Sequence, residues 1–328
     1  MLYWFFLLPT LLICNPFLIP FEDKQELCDT DVEQIQTLLR EKNIQQDLKK
    51  FYPEQTSIFE KYAPFSEFES RTTRCLKQTL IDVENNKLPE KGLLKINKGG
   101  KDCFVVGSPW NRKYPELLKS LIEGLKEIGF NGYVYYRIGG VPNPSGKEAK
   151  WAGVPYAFKI FMMMEAKNLG FNEVIWLDSA LFPFKNPQRL FEKVRSEGSL
   201  MLHRSLAKKA LMPATRQLIE QLLQVDMDDM EQVRMWLFGL KMDQPWVESF
   251  LNDYTRMVSI GYPFMSCYPE EFVISAIAKK YERYIPALQD PLMVPSKGYN
   301  KIIKTHDKDV QNYCRAKIGG YIFVVREH

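Results

Sequence analysis

The chain has 328 residues, 26% of them charged and 45% hydrophobic, which is enough to bury a full core in one large domain or two smaller ones. A net charge of only +4, with basic side chains dispersed among acids, offers no basic run for a nucleic-acid groove, so nucleic acid is excluded as a partner. The 6 cysteines form no CxxC pair and no cluster with the 3 histidines, which excludes the usual zinc patterns.

Residues 1–21 carry no charged side chain and are dominated by Leu, Phe, Ile and Trp. Their length is close to the ~20 residues that span a bilayer, but Pro9, Pro16 and Pro20 suit a continuous helix poorly. The segment reads as a signal peptide or a membrane anchor, so the body is expected to be exported or held at a membrane through residues 1–21. In an oxidising compartment Cys28 and Cys75 are a possible bridge, with free buried thiols as the alternative.

Residues 22–98 read as a helical stem or appendage. Val32, Ile35, Leu38, Leu39 and Leu48 recur at helical spacing, a second helix is expected over Thr72 to Val83, and Pro53 and Pro64 interrupt the pattern between them.

From Lys101 strands alternate with helices, the order of an α/β domain with a mainly parallel sheet flanked by helices, over 99–328. Strands are expected at Cys103 to Gly107, Gly132 to Arg137 and Val174 to Leu177, each preceded or followed by a helix that closes on a glycine. Beyond them come a helix from Pro187, a short strand from Ser199, a helix from Pro213 and helical character over Met230 to Leu237. Helices from Pro245 and Glu270 and an apolar strand over Tyr321 to Val325 complete the pattern.

The strand Val174 to Leu177 ends in a carboxylate, Asp178, and then a turn leading to Pro183. Ligands of open α/β sheets bind beyond the carboxyl ends of strands, so Asp178 is placed at a crevice. A strand-end Asp capping a turn is the plainer alternative. Lys159, on the preceding helix, is a candidate for a phosphate or buried-acid contact, or it snorkels. Arg137 ends the second strand beside a Gly/Pro loop, as a diphosphate ligand or an ordinary cation. The loop from Ser108 to Arg112 follows the first strand, and Trp110 there either stacks on a base or packs locally. Glu270 and Glu271 open a helix, where acids are favoured by the dipole whatever their function; Glu271 is the candidate general base.

Pro155-Tyr-Ala-Phe-Lys159, then Glu173-Val-Ile-Trp-Leu-Asp178-Ser-Ala-Leu-Phe-Pro183, then Tyr268-Pro-Glu-Glu271, resemble in order the central blocks of GT-A-fold, nucleotide-sugar-dependent glycosyltransferases, over about Lys101 to Asp307. The resemblance implies a GT-A-like α/β fold and transfer of a sugar from a nucleoside-diphosphate donor to an acceptor hydroxyl. It implies nucleotide-sugar contacts at Ser108, Trp110, Arg137 and Lys159. It also implies a divalent metal, manganese or magnesium, held by Asp178 with His306 as a late ligand. That family carries a second acid two residues after the first, and here the place is taken by Ala180. Three readings follow: a metal held by Asp178, the diphosphate and a distant ligand; basic side chains in place of a metal; or an inactive copy. A non-catalytic sugar- or nucleotide-binding protein and a nucleotidyltransferase are the alternatives that keep the same sheet.

Overall fold

The computed structural model describes residues 24–26, 89–110, 114–139, 154, 156–206, 213–266, 268–286, 293–295 and 322–326. Residues 1–21, Cys28, Cys75, the two helices expected before residue 89, and His306 lie outside the described residues.

The strands in chain order are β1 (Lys24–Glu26), β2 (Glu90–Ile96), β3 (Asp102–Ser108), β4 (Gly132–Ile138), β5 (Glu173–Leu177) and β6 (Leu181–Pro183). After these come β7 (Ser199–Leu206), β8 (Glu231–Lys241), β9 (Met293–Pro295) and β10 (Phe323–Val325). The helices are α1 (Tyr114–Glu127), α2 (Phe158–Asn168), α3 (Gln188–Glu197), α4 (Pro213–Leu223), α5 (Pro245–Ile260) and α6 (Pro269–Lys280). Pro245 and Pro269 each start their helix, where a missing N–H costs nothing and a fixed φ is already helical.

Seven strands form the central sheet in the order β1-β2-β4-β3-β5-β8-β7. β3 is buried at every position, as a strand covered on both faces must be. It pairs in parallel with both β4 and β5, Val105 lying level with Tyr135 and Trp176. The three strands expected to be neighbours therefore are, and Ser108, Ile138 and Leu177 end on one edge of the sheet.

The rest of the sheet departs from expectation in three ways. It is mixed: β2 and β8 run antiparallel to their neighbours. The expected domain boundary near residue 98 falls inside it, because β2 pairs along its whole length with β4, from Glu90 opposite Ile138 to Ile96 opposite Gly132. The stretch expected to be helical over Met230 to Leu237 lies in β8. Val233, Met235 and Leu237 are buried while Arg234 and Trp236 are partly exposed, the period of two of a strand. Met and Leu favour helices in isolation, but pairing with β5 and β7 overrides that preference.

Two apolar layers cover the sheet. Cys103, Val105, Val174 and Trp176 face one layer, closed by α2, α4, α5 and α6; Phe104, Val106, Ile175 and Leu177 face the other, closed by α1 and α3. Each large side chain so buried contributes about 1.5–3 kcal/mol. A three-stranded sheet, β6-β10-β9, lies after β5 in the chain path; β10 returns antiparallel on β6, Val325 opposite Leu181.

Candidate active site

Alternation along β5 puts Val174 and Trp176 on the α2 side of the sheet, and Asp178, one step further in the same period, follows them. Trp176 Nε1 donates to Asp178 Oδ1 at 2.9 Å. The indole has room because its neighbour on β3 is Gly107: a Cβ there would lie 2.8 Å from the Trp176 ring and 3.0 Å from that of Phe158. The Asp178 backbone is fixed as well, its N–H donating to Trp236 O on β8 at 2.9 Å.

Lys159 lies in the first turn of α2, the positive end of a helix and an unfavourable place for a cation. Acids offset this. Its Nζ is 2.8 Å from Glu270 Oε1 and 3.4 Å from Asp178 Oδ1, and it donates to Met235 O at 3.2 Å. The rings of Tyr156 and Trp176 each lie 5.5 Å from the ammonium. Burial would by itself lower the pKa of Lys159; Asp178 first and Glu270 next outweigh it and hold the pKa above its ordinary 10.5, so the group is charged. Lys159 is thus the buried-acid contact of the two roles anticipated for it.

Glu270 and Glu271 stand at the N-terminus of α6, where carboxylates complement the dipole. The two diverge at once. Glu270 turns to Lys159, whereas Glu271 accepts from Gln232 Nε2 at 2.6 Å and from Met235 N at 3.4 Å, and so braces β8. Successive helical residues point about 100° apart, so only one of the pair can face Asp178.

Arg137 lies on the same side of the sheet as Lys159, and its Nη2 is 2.7 Å from Glu165 Oε1 of α2. Tyr135 OH donates to the other oxygen of Glu165 at 2.7 Å. Trp110 is buried, its ring packed over Gly139, where a Cβ would come within 2.4 Å of it; Gly139 also needs its freedom to hold φ +68°. Ser108 is buried, its hydroxyl donating to Pro109 O at 3.2 Å. The structure therefore gathers Lys159 and Asp178 with Glu270 and Trp176, and gives Arg137, Glu271 and Trp110 packing or pairing partners of their own.

Glu270 and Trp176 were not anticipated. Trp176 was legible as the i−2 neighbour of a strand-end acid, and Glu270 as the other member of an acidic pair. A cleft of about 280 Å³ also opens between the start of β8 and α6, lined by Asp229, Glu231, Ser275, Lys279 and Glu282; Asp178, Lys159 and Glu270 do not line it.

The resemblance noted above implies a divalent cation. Among the described residues no three His, Cys, Asp or Glu side chains gather to cage one. Position 180 contributes only a methyl group. Asp178 nevertheless keeps 26% of its side-chain surface exposed, and no hydrogen bond or ion pair engages Oδ2 among the described residues. Burial raises the Asp178 carboxyl above its ordinary 3.8, while the Lys159 charge and the Trp176 bond oppose that shift. A single carboxylate oxygen completed by substrate phosphates and water is a ligand set that magnesium accepts. These donors fit a cation that arrives with a diphosphate, and do not fit one caged by the protein alone.

No protein-family model and no curated protein matches the chain. Solved structures do. Mouse xyloside xylosyltransferase 1 in its apo form is 11% identical with a TM-score of 0.39, over 62% of this chain and 92% of that one. The galactosyltransferase LgtC in complex with donor and acceptor sugar analogs is 8% identical with a TM-score of 0.37, over 69% and 87%. A glycosyltransferase involved in the glycosylation of the major capsid of PBCV-1 is 16% identical with a TM-score of 0.32, over 68% and 93%.

Proposed function

We propose that the chain is a glycosyltransferase that moves a sugar from a nucleoside-diphosphate donor to an acceptor hydroxyl. The observation that carries this reading is Asp178: a carboxylate at the carboxyl end of a central strand, with one oxygen fixed by Trp176 and Lys159 and the other engaged by none of the described residues. In the transfer the acceptor hydroxyl oxygen forms a bond to the anomeric carbon and loses its proton to a base or to water, the bond from that carbon to the diphosphate breaks, and the electron pair leaves on the diphosphate. What such a site must supply is stabilisation of that departing charge.

Lys159 does not supply it directly, because its three N–H groups are directed at Glu270, Asp178 and Met235 O. Asp178 Oδ2 would hold a divalent cation, which would supply Lewis-acid stabilisation of the leaving group. Trp176 and Lys159 act by orientation: they hold Oδ1, and so the direction of Oδ2, while Glu270 fixes Lys159. Supporting the same reading, the carboxyl ends of β3 and β4 share the edge with Asp178, as a nucleotide lying across the sheet requires.

The test is release of nucleoside diphosphate from a panel of nucleotide sugars, with and without acceptor sugars and manganese. Turnover with at least one donor is expected, lost in Asp178→Asn, which removes the charge and keeps the shape. Equal turnover in the purified wild type and variant would take Asp178 out of the mechanism.

A further inference from the structure

We propose that Arg326 is a positioning residue for Asp178, clamping from behind the turn that Asp178 opens. Every backbone carbonyl of that turn is accounted for. Asp178 O accepts from Leu181 N at 2.9 Å, which closes the turn. Ala180 O accepts from Arg326 N at 3.0 Å and from Arg326 Nε at 3.2 Å. Arg326 Nη2 reaches Ser179 O at 2.8 Å and Leu181 O at 3.1 Å.

The same guanidinium ties this turn to α1, donating to Leu117 O at 2.8 Å through Nη2 and to Ser120 Oγ at 3.0 Å through Nη1. It lies over the Phe182 ring at 5.5 Å. Its backbone bond to Ala180 extends the β6–β10 ladder by one residue, so the arginine arrives at the turn by strand register.

Arg326 is buried, and all its partners among the described residues are carbonyls, a hydroxyl and a ring; none is a carboxylate. Burial accordingly depresses its pKa to about 10, with no acid among the described residues bonded to it. A buried cation without a counter-ion is costly in stability, and packing alone would be served as well by an apolar side chain. What a guanidinium adds is a rigid planar fork that fixes several acceptors at once. Three of its five acceptors are the carbonyls of the three residues that follow Asp178; the other two, Leu117 O and Ser120 Oγ, lie on α1. This matters because Ala180 puts no second acid two residues after Asp178, so the turn has to aim one carboxylate.

The inference rests on the reading of Asp178 given above, so the test separates the two. The indole N–H of Trp176, assigned by its disappearance in Trp176→Phe, reports the Asp178 bond by NMR with no ligand present. In Arg326→Met, with the fold checked by circular dichroism, this signal is expected to shift or broaden and to recover on adding free guanidinium at non-denaturing concentration. Affinity for a manganese–nucleoside diphosphate is expected to fall about 10- to 100-fold, the usual effect of losing a group that orients a metal ligand. An unchanged Trp176 signal in a folded Arg326→Met protein would overturn the proposal. If that variant does not fold, Ser120→Ala, which deletes one bond of the fork, must move the same signal in the same direction, and no movement there overturns it equally. A signal shifted in Arg326→Met, together with a wild type that binds no manganese nucleotide, would count against the proposed role of Asp178 and leave the clamp standing.

Discussion

At the scale of single residues the site depends on how closely a few side chains approach. Gly107 leaves the space that Trp176 fills, and the indole then holds Asp178. Gly107→Ala places a methyl group against two rigid rings, so we expect a loss of about 1–3 kcal/mol in denaturant unfolding, the range for overpacking. Weakened nucleotide binding should accompany it; a fully stable Gly107→Ala protein with native affinity would show that the indole is not held as described. Lys159 is the other pivot. Its folded-state pKa lies above the ordinary 10.5, so its stabilising contribution is fully present below 10.5 and is lost as pH rises through the folded value. Lys159→Met leaves carboxylates facing one another in the core and should cost about 3–5 kcal/mol at neutral pH, as removal of one partner from a buried pair does. Melting temperature against pH is the check: the wild type should lose this contribution only above 10.5, and in the variant that part of the alkaline decline should be missing.

At the scale of elements, α6 separates two tasks that adjacent residues perform. Glu270 faces Lys159, while Glu271 holds Gln232 and Met235 of β8. Glu271→Gln should therefore lower stability by about 1–3 kcal/mol, the cost of a compromised buried bond to a charged group, with the KM for donor little changed. Glu270→Gln should instead impair turnover. Kinetics and denaturant melts on the two variants decide it, and the opposite assignment would restore Glu271 as the acid of the site. The sequence carried the existence of this acidic pair but not its division, because a 100° step around a helix cannot be oriented until its packing partner is known. β8 was illegible for a related reason: Met235 and Leu237 read as helix formers until β5 and β7 lie on either side. The order β3, α1, β4, α2, β5, by contrast, is local in character, with glycines or prolines at its joints, and was readable in full.

At the scale of the whole molecule, the α/β arrangement was readable and the limits of the sheet were not. β2 belongs to the central sheet although the sequence before residue 99 reads as a separate appendage, since one short strand has no periodicity long enough to announce it. Tyr136 OH donates to Glu90 Oε1 at 2.5 Å, which locks β2 to β4 in the buried interior. A chain begun at residue 99 should consequently expose the edge of β4 and aggregate, whereas one begun at residue 22 should stay soluble; size-exclusion profiles of the two distinguish them. The central claim is that Asp178, through its open oxygen, holds the cation that accompanies a nucleoside diphosphate. Isothermal titration of wild type and Asp178→Asn with a panel of nucleoside diphosphates, with and without manganese, tests it most directly. We predict binding of at least one nucleotide that requires both manganese and the Asp178 carboxylate; binding that is the same without the metal or without the carboxylate would contradict the claim.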